Sequence, residues 1–228
     1  VNMAEKLLAP GAGHLMGTDN FGRDILSRMM CGARISLLLG FVAVCISLCI
    51  GIPLGAFSGY YEGKAGNLIM RVMDSLQAFP MLILVMSISV ALGRNSFSAM
   101  LAVGIAGIPN FARLMYAQTL SVKQSAFIEG EHAIGLPRRD ILVRHILPNC
   151  ITPILVRLSL SLGSAILTVS SLSFLGIGVQ PPDASLGRML SEAQTYIFSA
   201  PGFALFPGVF IVLMVLGFSL LAEGLKRD

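Results

Sequence analysis

Residues 35–57 read ISLLLGFVAVCISLCIGIPLGAF, a run with no charged side chain, made mostly of Leu, Ile, Val and Ala. About 20 consecutive apolar residues cross a bilayer as a helix, so this stretch is expected to span a membrane. Four further runs follow: 75–93, 95–112, 158–182 (extended upstream past Arg157 by 146–156) and 193–222. None alternates with a period of two, which argues against a β-barrel. The expected fold is an all-α membrane protein with five transmembrane helices. Gly51, Pro53, Pro80, Pro109 and Pro153 interrupt the runs, as membrane helices tolerate where neighbours or cavities satisfy the freed backbone groups.

The composition agrees. Of 228 residues, 55% are hydrophobic and 12% charged, and the mean hydropathy is +0.80. An ordinary soluble domain is about 25% charged, so a soluble enzyme, a disordered chain and a nucleic-acid-binding domain are excluded. Four cysteines are too few for a disulfide scaffold. Cys45 and Cys49 share a helical face and read as small packing residues, and Cys31 and Cys150 add no metal pattern. The net charge of +4 fits basic loops on the cytoplasmic side of a membrane better than a nucleic-acid partner.

Residues 1–10 lack the apolar core of a signal peptide. Residues 1–34 are expected to form an outward-facing N-terminal segment with a short amphipathic helix over 23–34, and residues 35–228 the transmembrane domain. With loops 58–71 and 113–144 and the C-terminal tail in the cytoplasm, that side holds Lys64, Arg71, Arg113, Lys123, Arg138, Arg139, Arg144, Lys226 and Arg227. The other side holds Lys6, Arg23, Arg28, Arg34, Arg94 and Arg188, a balance of nine to six. Five spans with an outward N-terminus imply a sixth, N-terminal span upstream. Arg157 is expected to snorkel to the cytoplasmic interface. Asp74 is expected at the membrane edge, paired with Arg71 one turn away. His14, His132 and His145 read as solvated.

The polar stretch 121–149 is SVKQSAFIEGEHAIGLPRRDILVRHILPN. Helical spacing over 122–134 places Phe127, Ile128 and Ile134 on an apolar side, with Lys123, Glu129 and His132 elsewhere. Gly135 suits a helix C-terminal turn. Pro137 suits the start of a second helix, running through Asp140 and Arg144 and stopping before Pro148. A helix–turn–helix of this kind on a chain without a soluble domain is a docking element.

Within it, Glu129, Gly130, Glu131, Gly135, Leu147 and Pro148 resemble the EAA loop of ABC-importer permeases: Glu-Ala-Ala, three residues, Gly, nine residues, Ile, any residue, Leu-Pro. Gly130 and Glu131 replace the two alanines, and His145 stands at the Ile position. The resemblance extends along the chain. His14-Leu15-Met16-Gly17-Thr18-Asp19-Asn20-Phe21-Gly22-Arg23-Asp24 is similar to the HxLGTDxxGRD segment of the dipeptide, oligopeptide and nickel permease group, and Ala33-Arg34-Ile35-Ser36-Leu37 follows as in that group. Arg71, Asp74, Phe79 and Pro80 resemble its RxxD…FP stretch. Ser173-Phe174-Leu175-Gly176-Ile177-Gly178, with Pro181-Pro182, resembles SFLGLGxxPP.

The resemblance implies the transmembrane domain of a type I ABC importer in a bacterial plasma (inner) membrane. It implies a second, non-identical permease subunit, two cytoplasmic ABC ATPase subunits and an extracytoplasmic substrate-binding protein as partners. The solute would be a di- or oligopeptide, or a nickel or other metal chelate. Glu129, Gly130, Glu131, Ala133, Gly135, Leu147 and Pro148 would couple to the ATPase. The sequence has no G-x-x-x-x-G-K-[ST] loop, so ATP and Mg are expected on the partner subunits, with no cofactor and no catalytic residue on this chain. Hydroxyl residues crowd the fourth span, where they can tighten helix packing or line a polar path. The resemblance puts the path between the two permeases, making Ser164, Thr168 and Ser171 its candidates. The outer loop 179–201, with a short helix over 186–196, is the candidate surface for the binding protein. An ATP-independent secondary transporter or channel is the alternative. It fits less well, because such proteins carry intramembrane ionisable groups and the mid-span regions here have almost none.

Overall fold

The structure is a computed structural model that describes residues 3–61 and 63–226; Arg227, counted above in the charge balance, lies outside them. The first apolar run becomes α1 (Ile25–Tyr61), 37 residues long. Asp24 starts it, its side chain accepting the backbone N–H of Ser27 at 2.7 Å, the usual work of an N-terminal cap. The segment 23–34, expected as a helix of its own, is therefore the beginning of α1, because no cap or proline separates it from the apolar run.

The second run is not one rod. It divides into α2 (Lys64–Gln77) and α3 (Met81–Leu92), bent by 95° at the intervening break. Pro80 lacks an N–H and disfavours helix at Phe79 before it. The third run becomes α4 (Ser96–Lys123), capped by Asn95, whose side chain accepts from Ser98 N at 2.8 Å. This helix runs beyond the apolar stretch, so Arg113, expected in a loop, lies inside α4.

The polar stretch folds as α5 (Ala126–Ala133), α6 (Arg138–Asp140), a π-helical stretch Ile141–Ile146 and α7 (Leu147–Asn149). The second arm thus continues through Pro148 instead of stopping before it. A wide π turn ahead of a proline absorbs the backbone bond that proline cannot make. Next come α8 (Ile151–Phe174), α9 (Leu186–Ala193) with a 3₁₀ turn Gln194–Tyr196, and α10 (Pro201–Gly224). The fourth run ends at Phe174, short of the expected 182, since Gly176 turns the chain with φ of 75°. The short outer helix falls where the sequence placed it.

Among the described residues, four helices are long and apolar enough to span a membrane, or up to five when α2 and α3 count as one broken span. The most extensive contact joins α1 to α4. Gly51, Gly55 and Gly59 repeat every four residues along one face of α1, and a Cβ at Gly55 would overlap the carbonyl of Ala112. Small residues at this spacing let helix backbones approach closely. Ser47 Oγ donates to the Gly104 carbonyl at 2.6 Å across the same contact. Ala43, Val44, Ala102, Phe111, Ala165, Val169 and Leu172 fill the centre of the bundle. Ile25, Met29, Leu186, Met189 and Phe203 close one end, and Ala56, Tyr60, Met115, Ile128, Ile141 and Ile146 the other. Cys31 and Cys49 lie on the exposed surface of α1 and Cys45 is half-buried; only Cys150 packs inside.

Candidate functional site

The arms of the polar hairpin meet at Gly135, whose φ is 80°. Leu136 N donates to the Glu131 carbonyl at 3.2 Å and Gly135 N to that of His132 at 3.1 Å, the paired closure of a Schellman turn. Ile128 on the first arm and Ile141 and Ile146 on the second are fully buried against Ala56, Tyr60 and Met115 of α1 and α4. Burial of such a side chain is worth about 1.5–3 kcal/mol, so three of them anchor the hairpin firmly to the spans.

Its polar groups tie the arms together. Glu131 Oε1 lies 2.6 Å from His145 Nδ1, so the two polar departures from the EAA pattern are each other's partners. His132 stacks on the Tyr60 ring, with centroids 6.2 Å apart and planes at 13°, and its Nε2 is 3.4 Å from the Tyr60 hydroxyl. Neither histidine is merely solvated, as the sequence reading had it, because the fold brings both against partners on other segments. His14 differs in the same way, with Nδ1 3.0 Å from Asp24 Oδ1.

The outward side of the hairpin carries Glu129, Gly130, Ala133, Gly135 and Pro148, while Glu131 and Leu147 are half-buried. Phe127 and Ile134, expected beside Ile128 on one apolar side, instead face outward at 48% and 77% exposure. An eight-residue helix has only one face against the spans, and Ile128 takes it. The result is an exposed surface with two large apolar side chains around an acid.

The candidate pathway residues do not converge. Ser164, Thr168 and Ser171 each donate to a carbonyl four residues back, at 3.1, 2.8 and 2.8 Å. Ser164 opens on a cavity of about 200 Å³ between α1, α4 and α8, Thr168 is buried, and Ser171 borders a separate apolar pocket near Phe174 and Leu190. Asp74 pairs with Arg113 of α4 rather than with Arg71. The bend after α2 turns that acid toward the neighbouring helix.

Sequence reasoning missed the cluster at the far end. Asp19, with no exposed surface, takes Arg23 Nε and Arg28 Nη1, each at 2.6 Å, and accepts the backbone N–H groups of Phe21 and Arg23. Glu192 of α9 lies 2.8 Å from the same Arg28 nitrogen. Burial works against the Asp19 charge, but those backbone donors, then Arg23 and Arg28, outweigh it and hold the carboxyl below its ordinary value. The available signal was an acid set among arginines in 19–28.

Residues 51–227 match the family described as binding-protein-dependent transport system inner membrane component. The chain belongs to that family. It is 42% identical over 225 residues to the dipeptide transport system permease protein DppC of Alkalihalophilus pseudofirmus, covering 99% of this chain and 74% of that one. It is 44% identical over 217 residues to the glutathione transport system permease protein GsiD of Pectobacterium atrosepticum, covering 95% and 72%. In fold it is similar to the MetNI methionine ABC transporter in an inward-facing conformation, with a TM-score of 0.75, 16% identity and coverage of 89% of this chain and 96% of that one. A crystallised amino acid ABC transporter aligns with a TM-score of 0.66 and 18% identity over 89% and 94%. This permease is accordingly a multi-pass inner-membrane subunit of a type I, binding-protein-dependent ABC importer of the peptide group.

Proposed function

We propose that the permease moves a di- or oligopeptide by alternating access, paired with a second, non-identical permease. Two cytoplasmic ATPase subunits hold the ATP and Mg, and this chain binds neither. Each ATPase presents a groove, and the hairpin's Glu129, Gly130, Glu131, Ala133, Gly135, Leu147 and Pro148 surround the surface that enters it on this side. An external binding protein docks over 179–201, where α9 stands. The names of the relatives favour a short peptide as solute.

The observation that carries this reading is the hairpin's division of labour. Its inner side is fastened to α1 and α4 by buried isoleucines, while Phe127, Glu129 and Ile134 face away from the chain. Closure of two ATPases on such surfaces moves the attached helices as a body, biasing two packings of nearly equal energy. On the path itself, Ser164 has the strongest support of the three hydroxyl candidates, because it borders the cavity that Asn110, Arg157 and Ser161 also line.

Glu129→Arg tests the reading. In the complete transporter reconstituted in proteoliposomes, this exposed substitution is expected to abolish ATP-driven peptide uptake and binding-protein-stimulated ATP hydrolysis. Helix content should stay unchanged. Uptake at the wild-type rate would remove the hairpin from the coupling route.

A further inference from the structure

We propose, resting on the peptide-importer reading, that Arg157 is a station for the carboxylate of the transported solute. Arg157 stands six residues into α8, about 9 Å along the helix from Ile151. It lies within a segment long and apolar enough to span a membrane, where an arginine is costly unless something answers its charge.

Among the described residues no carboxylate pairs with it, and its Nε is buried without a hydrogen-bond partner. Arg113, the other cation nearby, is already neutralised by Asp74. The uncompensated charge is therefore that of Arg157.

Its surroundings are those of a site. The side chain borders two cavities, of about 200 and 260 Å³, and Asn110 also lines both. Ser161 and Ser164 line the first and Gln77 the second. Arg157 thus lines a seam between α4 and α8 in which hydroxyl and amide groups are set among apolar side chains. A planar fork of N–H donors matches a carboxylate in two-point geometry, and the neutral groups can take the peptide's amide bond. A short peptide carries that pair of features at its C-terminal end.

The test uses the assembled permease–ATPase complex in phosphatidylcholine nanodiscs, without binding protein, dialysed to equilibrium against alanyl-alanine and its C-terminal amide. The wild type is expected to bind the free acid about tenfold more tightly than the amide, a difference of about 1.4 kcal/mol. Arg157→Gln should bind both equally, and Arg157→Lys should keep part of the preference. Equal binding of acid and amide by the wild type overturns the proposal, as does no measurable binding of the acid or a preference that survives in Arg157→Gln. A phosphatidylglycerol arm checks the other source of anions. If Arg157→Gln alters only the response to that lipid, the guanidinium serves a headgroup and the proposal falls. Wild-type uptake of the dipeptide is measured alongside. ATP-driven uptake without an acid preference sinks only the Arg157 station, whereas no ATP-driven uptake of dipeptides sinks the solute reading itself.

Discussion

Where α1 begins, one fully buried carboxylate, Asp19, gathers two guanidiniums and two backbone N–H groups, and Glu192 links the same cluster to α9. At the opposite end a single pair, Glu131 with His145, joins the two arms of the hairpin, and the His145 side chain keeps 37% of its surface in solvent. The first arrangement ties the N-terminal segment, α1 and α9 into one block through charges that cannot separate without stranding one another. The second lets the arms adjust, with isoleucines supplying the anchorage and the Glu131–His145 contact setting only their mutual angle. The proposed coupling through the hairpin would use this asymmetry: a rigid far end to work against and a near end that can move as a lever.

The largest effect is expected from Asp19→Asn. Removing one partner of a buried ion pair costs about 3–5 kcal/mol, and Glu192, which still answers Arg28, puts the expected cost at the lower end. Thermal unfolding of the reconstituted complex should show a clear fall in Tm. The pH dependence has a definite sign. The folded Asp19 carboxyl sits below its ordinary value of 3.8, so its contribution is complete above about pH 4 and disappears as pH falls through the folded value. The wild type should lose stability over that acid range more steeply than Asp19→Asn. Parallel curves would show that the cluster is not the rivet described.

That cluster also shows where reading the sequence stops. Uncharged runs identified the spans, Pro80 marked a break, and Gly135 marked the turn, since each depends on local chemistry. Arg28 meets Glu192 across 164 positions, and no hydropathy pattern records which acid meets which arginine. Asp74 makes the same point. Its nearest arginine in sequence is Arg71, yet the 95° bend delivers it to Arg113, 39 residues away. Glu131 and His145 each looked like a departure from the EAA pattern, and only their contact shows that they belong together. The glycine repeat 51, 55, 59 was legible by spacing alone as a close helix contact. Counting apolar residues along the run does not register that signal.

The Glu131–His145 pair should be felt less than Asp19. His145→Ile leaves Glu131 half-buried without its partner and is expected to cost about 2 kcal/mol. Adding Glu131→Ala should recover most of that, since removing both partners of a buried bond is far less costly than removing one. A double-mutant cycle on Tm, run beside uptake, measures this. Strict additivity would mean the two side chains do not hold the arms.

Gly135→Ala isolates a smaller term. A Cβ there meets nothing within 4 Å, so the cost is only that of holding a non-glycine residue at positive φ, about 1 kcal/mol. The turn should fray and the coupling efficiency, uptake per ATP hydrolysed, should fall with little change in Tm. A Tm loss as large as that of Asp19→Asn would contradict the picture of two arms lightly tied to each other.

The smallest effect is expected at Asp74. Asp74 and Arg113 are both more than half exposed, and exposed ion pairs contribute about 0–1 kcal/mol. Their importance is positional, because they fasten α2, the shorter limb of the broken span, to α4. Among the described residues, the other side-chain bond seen between these helices is a long one, Gln77 Nε2 to Asn110 Oδ1 at 3.4 Å. Asp74→Asn should therefore leave Tm nearly unchanged while amide exchange quickens along α2 and not along α1 or α4. The α1 contact with α4 rests on interlocked backbones that this pair does not touch. If exchange rose throughout the bundle, the broken span would be part of the rigid block, and the contrast between its two ends would have to be redrawn.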